Sequence, residues 1–243
     1  KRSLIVDSNL FLYKDPANHK RYLRYSFDGV FPKTGFYFDS DFTSTRWQQI
    51  QKDLNLSLKP WRKDGDHILL CLQRNGGWSM RGFDVIEWMN KTIQEIRMYD
   101  KKRPIVVRAH PGDKKIRNYL RITQKNVRLS TSRDITTDLK GAWATVIYNS
   151  SPGVASAIEG VPVIITDPVT GHSQAESVAN LGIENIANPA MPVVDNALTD
   201  STTFAQITYM LDYNRAVDKA RQSIEGLEVK DILPPQAMDR PIY

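Results

Sequence analysis

The chain has 243 residues, of which 41% are hydrophobic and 25% charged, a balance that excludes disordered and fibrous classes and is enough to bury a real core. Lys and Arg number 33 against 27 Asp and Glu, leaving a net charge of +6, which favours anionic partners such as nucleotides, nucleic acid or polyanionic glycans without choosing among them. The longest apolar runs, residues 68–72 and 161–165, fall far short of the roughly 18 residues that span a bilayer, so no membrane span is expected.

Residues 1–65 read as an irregular N-terminal segment. They are aromatic-rich, carry Pro16, Gly29, Pro32 and Gly35 among many Asp, Ser and Asn, and offer only a short strand at residues 4–7 and a helix at 46–54. The chain begins at Lys1, not methionine, and enters that strand almost at once, so upstream sequence is expected. Residues 56–66, with Pro60, Gly65 and five charges, read as a linker.

From His67 the text changes. Short apolar strands at 67–73, 104–109, 127–130, 143–148 and 162–166 alternate with helical patterns at 83–98, 113–121, 134–140 and 152–159, and two further helices are expected at 201–213 and 214–224. Strands that are apolar throughout and separated by helices predict a parallel sheet covered on both faces. The expected fold of residues 66–225 is therefore α/β, a Rossmann-like doubly wound sheet. Residues 226–243, with three prolines after Asp231, form an expected tail. The single cysteine, Cys71, lies within a strand and reads as core, which points to a reducing compartment and a cytoplasmic location. Trp47, Trp88 and Trp143 also read as core, whereas Trp78 falls in a loop.

In a doubly wound sheet the ligand lies outside the carboxyl ends of the strands, so three loops carry the functional reading. Residues 73–80 bring Gly76 and Gly77 together beside Arg74, Arg81 and Trp78; they suit a cradle for a phosphate or sugar, or a plain turn. Residues 108–113 place Arg108, His110 and Pro111 at a strand end, where an imidazole can meet a phosphate or serve the structure alone. Residues 149–153 (Asn149, Ser150, Ser151, Pro152, Gly153) open a helix, as a cap, as an anion receptor, or as both. After the next strand, Asp167 and His172 either line the same cleft or belong to a solvated loop.

The last two motifs in this order, His-Pro after one strand and Asn-Ser-Ser-x-Gly before a short helix and Gly-x-Pro-Val, resemble the C-terminal nucleotide-sugar-binding domain of GT-B glycosyltransferases. The bacterial capsule-type Kdo, sialic acid and CDP-glycerol transferases, with their HP and SS motifs, are the nearest in pattern. The resemblance covers about residues 66–225. It implies a metal-independent transferase that uses a nucleotide-sugar as substrate and needs no cofactor. His110 with Pro111, and Ser150 with Ser151, would then contact the donor phosphates. Relatives often carry a ribose-binding glutamate two residues after the helix glycine. Ala155 stands there, and Glu159, one turn on, is the substitute. A GT-B enzyme has a second, acceptor-side domain, of which residues 1–65 would be a remnant or part. Asp7 is the candidate base. A glycan acceptor is favoured over a modified DNA base.

A reading from another class remains open, a non-catalytic Rossmann-like module that holds nucleic acid or protein through its basic surface. Lys59, Arg62 and Lys63, then Lys101 to Arg103, then Lys114, Lys115 and Arg117 supply the clusters.

Overall fold

The computed structural model describes residues 3–7, 10–16, 24–27, 45–169, 173 and 180–189. The helices expected at 201–213 and 214–224, the tail and His172 lie outside the described residues.

Two strands, β1 (Leu4–Asp7) and β2 (Arg24–Phe27), pair antiparallel in a small sheet, and α1 (Thr45–Leu54) follows. The main body then runs β3 (His67–Cys71), α2 (Val85–Tyr99), β4 (Ile105–Arg108), α3 (Ile116–Tyr119) and β5 (Val127–Leu129). It continues through α4 (Ile135–Leu139), β6 (Ala142–Ile147), α5 (Pro152–Ile158), β7 (Val163–Ile165) and β8 (Asn180–Leu181). Six strands form one sheet in the order β5-β4-β3-β6-β7-β8, every pair parallel.

Counted from β3, that order is the 3-2-1-4-5-6 arrangement of a Rossmann sheet, and it reverses between β3 and β6. Alternate residues of each strand face opposite ways. Leu69, Cys71, Val106, Ile147, Val163 and Ile165 therefore join one apolar layer, with Ile135 and Leu139 of α4 and Val154 and Ile158 of α5. Ile68, Leu70, Ile105, Val107, Val146 and Ile164 join the other, with Met89, Ile93 and Ile96 of α2 and Ile116 of α3. Each such fully buried Leu, Ile or Met contributes about 1.5–3 kcal/mol. Cys71 belongs to this core, and burial pushes its thiol up to about 12.

Helix ends follow from single residues. Asp84 caps α2, its Oδ1 accepting from the N–H groups of Ile86 (2.7 Å) and Glu87 (3.1 Å). Asp134 caps α4 by accepting from Thr136 N–H at 2.9 Å. The helix predicted over 113–121 shrinks to α3 because Asp113 Oδ1 accepts from Lys115 N–H at 3.2 Å, a local turn that competes with the first helical bonds.

The N-terminal residues are more ordered than their irregular text suggests. Arg24–Phe27 forms a strand that four residues of mixed polarity do not announce, and Leu10, Phe11, Trp47, Ile50 and Leu56 are buried in the α5-side layer of the main sheet. Residues 56–66 hold no helix or strand, as a connection should, yet are fastened along their length. Lys59 N–H donates to Ile158 O (3.0 Å), Arg62 N–H to Gly160 O (2.7 Å) and Asp66 N–H to Gly141 O (2.7 Å). No helix among the described residues is long and apolar enough to cross a membrane.

Candidate functional site

Strand order reverses between β3 and β6, and in doubly wound sheets ligands bind beyond the carboxyl ends of the strands at such a reversal. The loops leaving β3, β4 and β6 at this edge are the three that the sequence singled out.

After β3, Gln73 is buried and its Nε2 donates to Ser79 Oγ at 2.6 Å, closing the loop on itself. Gly76 adopts φ +70, and a Cβ added there would meet nothing within 4 Å, so the glycine serves backbone shape at an open surface. Gly77, by contrast, is extended and leads into a short 3₁₀ turn, Trp78–Met80. Met80 anchors that turn in the core while Trp78 is 70% exposed. Arg74 is exposed at the same edge. Asn75 binds the loop to its surroundings, its N–H donating to Asp113 Oδ2 (3.2 Å) and its Nδ2 to Asp84 Oδ2 (3.0 Å). That bond is the main reason the Asp84 carboxyl sits below the usual range.

After β4, His110 is half-buried and its Nδ1 accepts from Gly112 N–H at 3.0 Å. In the neutral ring the proton then resides on Nε2, which becomes a hydrogen-bond donor. Burial lowers the pKa of His110; the Asp113 carboxylate opposes this and the Arg74 charge adds to it. Pro111 is exposed in the turn, which Asp113 N–H closes onto His110 O at 3.0 Å.

Arg108, at the end of the same strand, is engaged within the fold. Its guanidinium is bound by the Asp138 carboxylate, Ser132 O (3.1 Å) and Arg133 O (2.6 Å), with only 12% of the side chain exposed. Ser130 Oγ donates to the same Asp138. This is a structural ion pair that ties β4 to α4.

After β6, the serines do not cap α5. Ser151 already has helical angles, φ −60 and ψ −24, and makes no side-chain cap bond, because a capping hydroxyl needs an extended backbone to reach back to the helix N–H groups. The backbone carbonyls of Ser150 and Ser151 instead accept from Gly153 N–H (3.2 Å) and Val154 N–H (2.9 Å). Ser151 is exposed and Gly153 buried. Ser150 Oγ and the Tyr148 hydroxyl are buried without a hydrogen-bond partner. Such orphans are uncommon in native proteins and call for a physical explanation.

Asn149 is likewise engaged within the fold. It is buried, its Nδ2 donates to Asp167 Oδ2 (2.7 Å) and Ser79 O (3.3 Å), and its N–H donates to Gln73 Oε1 (3.2 Å). Both amide hydrogens are committed within the fold rather than offered to a ligand. Asp167 in turn is no solvated loop residue, for its side chain is wholly covered and paired with Arg81. The second residue after β3, β6 and β7, a purely positional signal, is Gln73, Asn149 and Asp167 in turn.

Glu159 lies at the opposite edge. Helix α5 runs back from the carboxyl end of β6, so its last residue stands where β7 begins, and Glu159 there pairs with Lys14 (2.9 Å) and Lys59. These lysines hold its carboxyl below the usual range against the effect of burial. Asp7 is on β1 of the small antiparallel sheet, opposite Arg24, and does not leave a strand of the main sheet.

The basic clusters are partly structural too. Arg62 Nη1 donates to Leu139 O (2.7 Å) and Ala142 O (2.9 Å), and Arg103 pairs with Asp100 while stacking 3.9 Å over the Trp143 ring. Among the described residues no group of three His, Cys, Asp or Glu side chains could hold a metal ion.

No protein-family model matches the sequence, and no curated protein matches it. Among solved structures the chain is similar to the beta Kdo 2,4 transferase of Thermosulfurimonas dismutans KpsC, at 13% identity over 77% of this chain and 72% of that one, with a TM-score of 0.45. The KpsC beta Kdo 2,7 transferase of the same organism is similar at 12% identity over 75% and 66%, with a TM-score of 0.44. A Methanocaldococcus jannaschii UDP-GlcNAc 2-epimerase, solved with UDP-GlcNAc and UDP, is similar at 16% identity over 69% and 53%, with a TM-score of 0.39. The chain thus spans about half of the epimerase and 66–72% of the two KpsC chains.

Proposed function

We propose that this chain binds a nucleotide-sugar at the carboxyl edge of its sheet and takes part in transferring the sugar to an acceptor, with a glycan favoured over a modified DNA base and no metal ion required. One observation carries the reading. The glycine loop and the Ser-Ser loop leave the two strands, β3 and β6, that flank the reversal of strand order, and His110 leaves the adjacent strand β4 at the same edge.

Transfer breaks the bond between the anomeric carbon and the nucleotide phosphate oxygen and forms one to an acceptor oxygen, so negative charge grows on the departing phosphate. His110 supplies an Nε2–H donor to that oxygen, its ring held by Gly112 N–H on Nδ1. Arg74 adds positive charge at the same edge, and the partnerless Ser150 hydroxyl is a further donor. The base is assigned to the acceptor side, with Asp7 of β1 as its candidate.

Calorimetry with UDP-, CMP-, CDP- and GDP-sugars tests the reading. One of them is expected to bind, equally well in EDTA, with His110→Ala and Ser150→Ala each weakening it. Absence of binding by all four, or variants that bind like the parent, would overturn the assignment.

A further inference from the structure

The loops of the carboxyl edge meet at one carboxylate. Asp167, the second residue after β7, has a fully covered side chain that accepts from Arg81 Nη1 (2.8 Å), Arg81 Nη2, Asn149 Nδ2 (2.7 Å) and Val169 N–H (2.9 Å). Those donors come from the loop after β3, the loop after β6 and its own loop after β7. A buried carboxylate needs both a countercharge and filled lone pairs, and here it has both. Arg81 sits in the left-handed region at φ 51 as the cap that ends the Trp78–Met80 turn, its N–H donating to Trp78 O, a conformation that a non-glycine residue keeps only when its surroundings hold it there. Asn149 extends the junction through Ser79 O and Gln73 Oε1 to the far end of the β3 loop. Trp88 Nε1, donating to Thr166 Oγ1 at 2.9 Å, fixes the residue before Asp167 against α2.

We propose that Asp167 is a positioning residue: by binding Arg81 and Asn149 it sets the spacing of the β3 and β6 loops across the reversal of strand order, and with it the shape of the ligand site. The spacing is a property of the chain itself; only its consequence for a nucleotide rests on the function proposed above. A carboxylate is required because all four of its partners donate. Asn at this position would turn an NH₂ group towards one of them.

The experiment uses the full chain labelled with 5-fluorotryptophan, the Trp78 resonance being assigned with Trp78→Phe. In Asp167→Asn the Trp78 signal is expected to shift or broaden while that of Trp47, buried on the other face, stays in place. Affinity for the nucleotide-sugar that the parent binds is expected to fall about tenfold, as when a supporting shell is loosened. The reciprocal variant Asn149→Asp/Asp167→Asn restores one donor facing one acceptor and is expected to recover the Trp78 signal and part of the affinity. A lower melting temperature with an unchanged Trp78 signal and affinity would make Asp167 a stabilising residue only and overturn the proposal. So would a reciprocal variant no better than the single one. If the parent binds none of the four nucleotide-sugars, the functional reading fails, while the Trp78 signal still decides whether Asp167 sets the loop spacing.

Discussion

At the amino edge of the main sheet the chain is packed backbone against backbone, whereas at the carboxyl edge side chains hold the loops in place. A Cβ on Gly160, which has φ +73, would lie 2.2 Å from Pro60 O, and one on Gly65 would lie 2.4 Å from the Trp143 backbone. Gly76, at the other edge, has room on every side. The charged groups differ as well. Glu159 at the amino edge is neutralised by two lysines, while His110 at the carboxyl edge feels both the Asp113 carboxylate and the Arg74 charge. The amino edge thus serves stability, and the carboxyl edge is the one to which the proposed function assigns the ligand.

This contrast can be broken at several points, and the largest effect is expected at Gly160. Gly160→Ala adds a side chain at positive φ and against a carbonyl, and a loss of about 3–4 kcal/mol is expected in urea unfolding, from overpacking and the left-handed backbone together. Nucleotide-sugar affinity of the folded protein should not change. Asp138→Ala leaves the Arg108 guanidinium partly buried without its countercharge, and about 3 kcal/mol should be lost. If Arg108 is structural, donor affinity again stays at the parental value in calorimetry. A selective loss of affinity would instead return Arg108 to the ligand site.

The reverse pattern is expected at His110. His110→Ala should weaken donor binding about tenfold, near 1.4 kcal/mol, with little change in the unfolding midpoint. The pH response sharpens the same point. The folded-state pKa of His110 lies below its unfolded value of about 6.5, so the unfolded chain takes up the proton first as pH falls. The histidine's contribution to stability is present above pH ~6.5 and is lost as pH drops towards the folded value. His110→Asn should flatten this part of the stability profile between pH 7 and 5. The smallest effect belongs to Ser151→Ala, expected within about 0.5 kcal/mol of the parent; a loss near 1 kcal/mol would show that its hydroxyl does cap α5 in solution.

Much of the fold was legible because strand and helix periods are local. The runs at 67–73, 104–109 and 143–148 became β3, β4 and β6 within a residue or two, and the helix predicted at 83–98 became α2 at Val85–Tyr99. The candidate site was legible only as far as chain position goes. His110 and the Ser-Ser pair were singled out because they follow strands, and they do lie in the loops after β4 and β6. The partners of Arg108, Asn149 and Glu159 were not, since Asp138 is 30 residues from Arg108 and Lys59 is 100 from Glu159. No local pattern says which of two charged residues that far apart will meet.

Composition and periodicity alone determined that this is an α/β protein with a parallel sheet, because burial of alternating faces leaves few other solutions. The tertiary structure decided which polar residues are spent on holding the molecule together. That choice depends on strand order, which places β3 beside β6 with Leu70 opposite Val146, and on the requirement that every buried charge find its partner at a distance that the linear text does not record.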